Sequence, residues 1–339
     1  MAEDPLDPLI SGLQRQLAET FALDSPGEVT ALQRLSGGAS METWRFDYRD
    51  SQRQQALILR RRPAGVELGD SFAQGITLAT EAELLSLARR AGVPVPSVLA
   101  RLAPGLGLGE GILMTRLEGE ALPQRLLRDA RFSTARQRLA FQCGEALGRI
   151  HSVALEDCPC GLRDLAWSAD IERLQALSDH FGNRSASHQL ALNWLRRQPP
   201  PSSPRVLCHG DFRLGNLLVD EQGLTAVLDW ELAHLGFAGE DLGYLCANVW
   251  RFGGDAPVGG FGQYRELLDG YASVRDKAPA LEEVLLWQLY AALGWGLVCL
   301  TMLELHCSGA DPGLERAAVG RRLSESEIDI LLLLEELEA

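Results

Sequence analysis

Apolar residues keep one rhythm in the first third of the chain and another in the rest. Asp4 to Leu23 spaces them as an opening amphipathic helix does. The next stretch, "EVTALQRLSGGASMETWRFDYRDSQRQQALILRRRP", breaks into short β-branched and apolar runs. "SGGAS" and the polar "DYRDSQRQ" separate these runs, so the pattern predicts successive strands joined by turns. "TEAELLSLARRAGVPVP" then predicts a helix from near Thr80, with Leu84, Leu87 and Ala88 on one face, stopped by Gly92 and Pro94. "GILMTRL" is a further apolar strand and "EGEALP" a turn.

Beyond this point helical spacing takes over. "ARQRLAFQCGEALGRIHSV" sets Leu139, Cys143, Ala146, Leu147 and Ile150 at helical intervals. "SADIERLQALSDHF" and "SHQLALNWLRR" follow the same rule, and "QPPPSSP" interrupts it. A short β segment comes next: "RVLC", then "NLLV", the turn "DEQG" and "TAVLD". Helices resume with "GEDLGYLCANVW", "FGQYRELLDGYA", the run from Leu285 and "ESEIDILLLLEELEA". No internal repeat is visible. The pattern predicts an α+β fold in two lobes. Residues 1–118, led by a helix within 1–24, form a small β-rich lobe with one main helix, and residues 119–339 form a larger, mostly helical lobe. A two-lobed protein offers a natural ligand cleft.

Composition narrows the reading. A chain of 339 residues with 46% hydrophobic and 23% charged residues is an ordinary globular protein with room for two cores. Its net charge of −14 argues against a nucleic-acid or anionic-membrane partner. "LLWQLYAALGWGLVCLTML" is long enough to span a bilayer, but Gln288 interrupts it and Glu282, Glu283 and Glu304 flank it, so a buried core helix is expected. The acidic start shows no signal-peptide pattern, and seven cysteines without a CxxC pair suggest free thiols in a reducing cytoplasm, with neither disulfides nor a zinc site.

The chemistry concentrates in "VLCHGDFRLGNLLVDEQGLTAVLDWELAHLG". A hairpin of "NLLV" and "LTAVLD" around "DEQG" would bring Asn216 and Asp229 to one open end, with Asp211 on the loop feeding it. Such oxygen donors suit Mg2+, which takes one or two carboxylates and leaves the rest of its shell to water and phosphate. The spacing fits phosphoryl transfer, with Asp211 orienting or accepting the proton of an attacking hydroxyl and Asn216 and Asp229 holding Mg2+ against nucleotide phosphates. His209 reads as a brace for the loop rather than a base. Glu231 shares the face of Asp229 on an extended chain and either reaches a metal or acceptor or is solvated. Asp and Asn also cap helices and close turns, which is the bland account of the same residues.

"HGDFRLGN" with "LDWELAHLG" resembles the catalytic loop and metal aspartate of the aminoglycoside phosphotransferase-like family, relatives of protein kinases that phosphorylate small molecules. "LGRIHSV" and "GEDLGYL" resemble that family's helix before the loop and its segment after it. "LRRRP" and "GVPVP" are most similar to the branch found alone or fused to acyl-CoA dehydrogenases. The resemblance runs from Leu35 to Leu245, and the remainder matches only as a helical tail. It implies a bilobal protein-kinase-like fold, ATP or GTP as phosphoryl donor and Mg2+ as cofactor.

Carried onto this sequence, the resemblance makes "LSGGASMETWRF" the glycine-rich loop, with Ser36, Gly37, Gly38 and Ser40 at the phosphates. The family's strand lysine is missing, since Lys277 is the only lysine, and Arg60 takes its place. A guanidinium neutralises phosphate in a forked geometry but is bulkier than an ammonium, so the replacement is not conservative, and Arg61 and Arg62 leave the register open. Glu81, or Glu83, would pair with that cation. Met114, Thr115 and Leu117 would meet the adenine, and Asp241 would brace the loop or cap a helix. The acceptor would be a small-molecule hydroxyl. Arg125, Arg128, Arg131, Arg136 and Arg138 would suit an anionic one, unless they simply form a solvated helix face. The dehydrogenase-associated branch favours a hydroxyacyl thioester over an aminoglycoside and suggests a functional link to an acyl-CoA dehydrogenase. A non-catalytic pseudokinase and a metal-dependent phosphohydrolase are the alternatives.

Overall fold

The computed structural model describes residues 6–37, 41–62, 75–182 and 184–339. These form two compact units, Met1–Gly119 with Thr225–Leu232, and Glu120–Leu224 with Ala233–Ala339. The segment Thr225–Leu232, which carries Asp229, thus returns to the N-terminal unit.

The first unit opens with α1 (Asp7–Thr20), followed by the strands β1 (Glu28–Gly37), β2 (Glu42–Arg49) and β3 (Gln54–Arg62). Next come α2 (Leu78–Arg90), β4 (Val98–Arg101) and β5 (Glu110–Thr115). The sheet runs β1-β2-β3-β5-β4 and is antiparallel throughout. Strand alternation decides which face each residue serves. Trp44, Phe46 and Tyr48 of β2 and Leu57 and Leu59 of β3 are buried in one cluster with Leu9, Leu13 and Leu17 of α1. Arg60 therefore points to the opposite face. Gly12 lets α1 approach closely, because a Cβ there would meet the Leu108 side chain. The sequence pattern does not predict β4, because three half-buried residues and an exposed one give too short a run to show a period.

The second unit is mostly helical. It holds α3 (Pro123–Arg128), α4 (Ser133–Ile150), α5 (Trp167–His180), α6 (Ala186–Arg197), β6 (Arg205–Cys208) and β7 (Leu217–Val219). After β8 (Leu224–Val227), which carries the chain back into the first unit, come β9 (His234–Phe237) and α7 (Ala238–Cys246). The chain ends with α8 (Tyr264–Ala272), α9 (Leu281–Ser308), α10 (Leu314–Gly320) and α11 (Leu323–Glu338). β6 pairs antiparallel with β9, a partner that "HLGF" did not advertise.

The helix α9 is the axis of this unit. By length and composition it could cross a membrane. Its Leu285, Trp287, Leu289, Leu293 and Leu297 pack with residues of α5 and α6 and with Ile330 and Leu333 of α11. Gln288, the residue that breaks its apolar run, is buried and accepts a hydrogen bond from Tyr264 (2.8 Å). All seven cysteines are free.

Candidate active site

The loop after β6 is held from below. Asp241, on α7, accepts the backbone N–H groups of His209 (2.7 Å) and Gly210 (2.9 Å). His151, at the end of α4, sits 3.1 Å from the same carboxylate and bonds Tyr271 through its other ring nitrogen. Burial alone would raise the Asp241 carboxyl. The His151 hydrogen bond and charge, the nearby His209 and the Gly210 N–H outweigh burial and hold it down at about 2. His209 is fully buried, and its Nδ1 accepts the Asp211 N–H (3.2 Å). Gly210 has φ +81°, a left-handed conformation that favours glycine.

That next residue is Asp211, whose carboxylate is surrounded by donors. Arg213 Nε (2.8 Å) and the Tyr244 hydroxyl (2.9 Å) donate to Oδ1, and Asn216 Nδ2 donates to Oδ2 (2.6 Å) and to the Asp211 carbonyl (2.9 Å). Both Asn216 contacts are acceptors, so the amide nitrogen must face them and its carbonyl oxygen is turned away from Asp211. Arg213 lies with its guanidinium 4.4 Å over the Trp250 ring. Burial, and then the Asp211 charge, push the Tyr244 hydroxyl well above its ordinary value, so it stays a donor.

The first unit carries an inverse arrangement. Arg60 stands among three carboxylates: Nη1 to Asp229 Oδ1 (2.7 Å), Nη2 to Glu231 Oε2 (2.6 Å) and Nε near Glu81 Oε2 (3.4 Å). Burial works against the charged guanidinium, but these acids raise its affinity for the proton above the ordinary value. Glu81 is buried, which raises it; Arg60 pulls it down, Asp229 and Glu231 push it up, and it settles at about 7. Asp229 sits at φ +63°, a backbone state that Asp tolerates better than most residues and that recurs at functional sites. The Ile76 N–H holds the Glu231 carbonyl at 2.9 Å.

The remaining candidates are placed as follows. Arg61 turns instead to Glu42 (2.8 Å), Arg62 to Glu110 (3.1 Å), and Glu83 faces Arg101 (3.9 Å). Ser36 and Gly37 end β1 opposite Thr43 and Glu42. Gly38 and Ser40 lie outside the described residues. Met114 is buried in β5, and Thr115 spends its N–H on the Ser97 carbonyl (2.9 Å), so its N–H is committed to the sheet. Leu117 follows the strand. Of the arginine cluster, Arg125 pairs with Glu120 (3.0 Å) and Arg136 donates to the carbonyls of Leu126 and Asp129. Arg128 and Arg136 border a cavity of about 610 Å3, together with Phe252, Asp255, Phe261 and Glu266.

Sequence reasoning missed Arg213 and Tyr244 as partners of Asp211. Arg213 is inside the quoted motif, and Tyr244 follows Asp241 by three residues on the same helix face, which was the available signal.

The phosphotransferase enzyme family (APH) matches residues 31–276. Acyl-CoA dehydrogenase family member 10 of Mus musculus is 27% identical over 246 residues, 69% of this chain but 22% of that protein. Family member 11 of Gallus gallus is 28% identical over 232 residues, 65% of this chain and 28% of that protein. The chain thus spans about a quarter of the length of these curated relatives. Among solved structures, a Ralstonia eutropha protein assigned to the aminoglycoside phosphotransferases superposes with TM-score 0.74 at 16% identity, covering 96% of this chain and 98% of that one. Macrolide 2'-phosphotransferase MphH of Brachybacterium faecium gives 0.61 at 18% identity, covering 93% and 97%. Aminoglycoside phosphotransferase APH(4)-Ia, solved with AMP-PNP and hygromycin B, gives 0.58 at 16% identity, covering 96% and 98%. The α+β, kinase-like fold expected from the sequence is the fold of these proteins.

Proposed function

Because this chain belongs to the phosphotransferase enzyme family, we propose that it is a small-molecule kinase moving the γ-phosphoryl group of ATP, or GTP, to a metabolite hydroxyl. The observation that carries this reading is the state of Asp211. A carboxylate offers about four lone-pair sites. Arg213 and Tyr244 fill those of Oδ1, and Asn216 fills one on Oδ2. The remaining Oδ2 site is where the acceptor hydroxyl binds, oriented for in-line attack while Asp211 takes its proton.

Asn216, through its carbonyl oxygen, and Asp229 are the proposed Mg2+ ligands. Hard oxygen donors are the chemistry Mg2+ selects, and the carboxylate excess around Arg60 favours added positive charge. When bound, the ion neutralises charge on the transferring phosphoryl group. In this reading Arg60 holds nucleotide phosphate through its fork, oriented by Glu81, and the backbone of Ser36 and Gly37 lies beside the phosphates with Gly38 and Ser40. The segment of Met114, Thr115 and Leu117 meets the adenine. Thr115 contributes there through groups other than its committed N–H.

The acceptor is proposed to enter the cavity lined by Arg128, Phe252 and Phe261. Phe252 packs on Trp250, and Trp250 carries Arg213, the partner of Asp211. A hydroxyacyl thioester fits the relatives' dehydrogenase names better than an aminoglycoside, and a functional link to such a dehydrogenase goes with it.

The test is incubation with a metabolite extract and Mg·ATP, followed by mass spectrometry for gain of one phosphate group. The kinase reading expects one hydroxylated compound to gain phosphate only with ATP present. Phosphate release from phosphoesters without ATP would favour a phosphohydrolase, and Mg·ATP binding without any transfer would favour a pseudokinase.

A further inference from the structure

Three elements of the second unit bring a thiol, an imidazole and a carboxylate to one point, and none of the three groups is among the hydrogen-bond partners of Asp211 described above. Cys208 ends β6 and is the cross-strand neighbour of His234 on β9. Glu240 lies in the first turn of α7. One ligand atom from each lies within 4.8 Å of the others. His234 Nε2 and Glu240 Oε1 are 2.9 Å apart. Cys208 and His234 are buried. These positions show none of the short spacings by which zinc ligands are read from a sequence, which is why none was expected there. The β6–β9 pairing and the turn into α7 create the cluster.

Two further observations single it out. Glu240 Oε2 is buried without a hydrogen-bond partner. A buried carboxylate oxygen left so is costly unless something else meets it. Beneath the cluster lies Gly236, two residues from His234 on the same strand face. A Cβ at this position would stand 2.8 Å from Cys208 Sγ and 3.1 Å from His234 Nε2, and would press on Glu240 Oε2. The three donors therefore line a space that any other residue at 236 would fill.

We propose that Cys208, His234 and Glu240 bind one Zn2+ ion. Sulfur, imidazole and carboxylate together are a zinc ligand set, whereas Mg2+ and Ca2+ choose oxygen alone. The second oxygen of Glu240 or a water completes four-coordination. On binding, the Cys208 thiol proton passes to solvent. Without an ion, burial and then the neighbouring Asp241 and Glu240 keep that thiol protonated. His234 binds as neutral imidazole with its proton on Nδ1. The ion ties together β6, which leads into His209, and α7, which carries Asp241. It is a structural staple under the loop and takes no part in phosphoryl transfer.

The full chain, stripped with a chelator, is titrated with Co2+ alone and then Zn2+ alone. Expected are one equivalent of either ion, a thiolate-to-cobalt charge-transfer absorption, and a rise in melting temperature with Zn2+. Cys208→Ser should abolish the absorption. Cys208→Ser and His234→Gln should each weaken Zn2+ binding beyond the 10–100-fold typical of losing an outer-shell partner. Cys160→Ser, at an exposed cysteine, should change nothing. The proposal is overturned if the wild-type chain shows no charge-transfer absorption with excess Co2+. It is equally overturned if the absorption survives Cys208→Ser or disappears in Cys160→Ser.

Discussion

The two units solve opposite electrostatic problems. In the first, one guanidinium, Arg60, serves three carboxylates, Glu81, Asp229 and Glu231. In the second, one carboxylate, Asp211, is served by three donors, Arg213, Tyr244 and Asn216. Beneath it Asp241 likewise receives two backbone N–H groups and His151. An acid cluster with too little positive charge invites a cation, whereas a carboxylate held by fixed donors is ready for one more hydrogen bond. The proposed function rests on this difference: it gives the nucleotide phosphates to the Arg60 cluster, the acceptor hydroxyl to Asp211, and the metal to Asp229 and Asn216 together.

The strongest way to break this comparison is at Asp211. Asp211→Asn keeps the shape and removes the basic oxygen, and phosphoryl transfer should fall by about 10^3-fold or more while the protein remains folded. A steady-state rate within tenfold of wild type would remove Asp211 from the chemistry. Arg60→Ala should lower stability by about 3 kcal/mol, because a largely buried cation is withdrawn from acids that remain. Glu231 is 46% exposed and adds little to that cost. Arg60→Lys should recover part of it, since an ammonium restores charge without the fork. Denaturant titration reads both.

Acid should reach the second unit through Asp241. Its folded carboxyl, at about 2, lies below the ordinary 3.8. The stability it contributes is therefore complete above pH 3.8 and is lost as pH falls through about 2. That contribution is about 2 kcal/mol, and the slope should flatten in Asp241→Asn when melting is followed from pH 5 downward. The smallest effect belongs to Tyr244→Phe, which deletes one of the three donors on Asp211. A loss of about tenfold in turnover, with nucleotide affinity unchanged, is the expected result from steady-state kinetics.

The sequence made some of this legible and hid the rest for physical reasons. "HGDFRLGN" is one continuous segment whose loop is built locally, so Asp211 and Asn216 could be read together. The antiparallel strands β1, β2 and β3 were equally readable, because alternation sorts Leu57 and Leu59 from Arg60. Which arginine of the run Arg60–Arg62 meets the acids was not decidable by motif, since strand register depends on pairing with β2 and β5. The short strands β4 and β9 carry too few residues for a period. Tyr244 and His151 reach the loop from separate helices, and only tertiary packing brings them there. The glycine-rich "SGGAS" expectation falls partly outside the described residues and stays an expectation.

The central claim, that the Arg60 cluster takes the nucleotide phosphates, Asp229 and Asn216 the metal and Asp211 the hydroxyl, is tested most directly by calorimetric titration of Mg·ATP. The wild-type chain, Asp211→Asn and Asp229→Ala are compared. The account predicts that the first two bind with similar affinity and that Asp229→Ala loses Mg2+-dependent binding. Equal Mg·ATP affinity in Asp229→Ala, or loss of binding in Asp211→Asn, would contradict it.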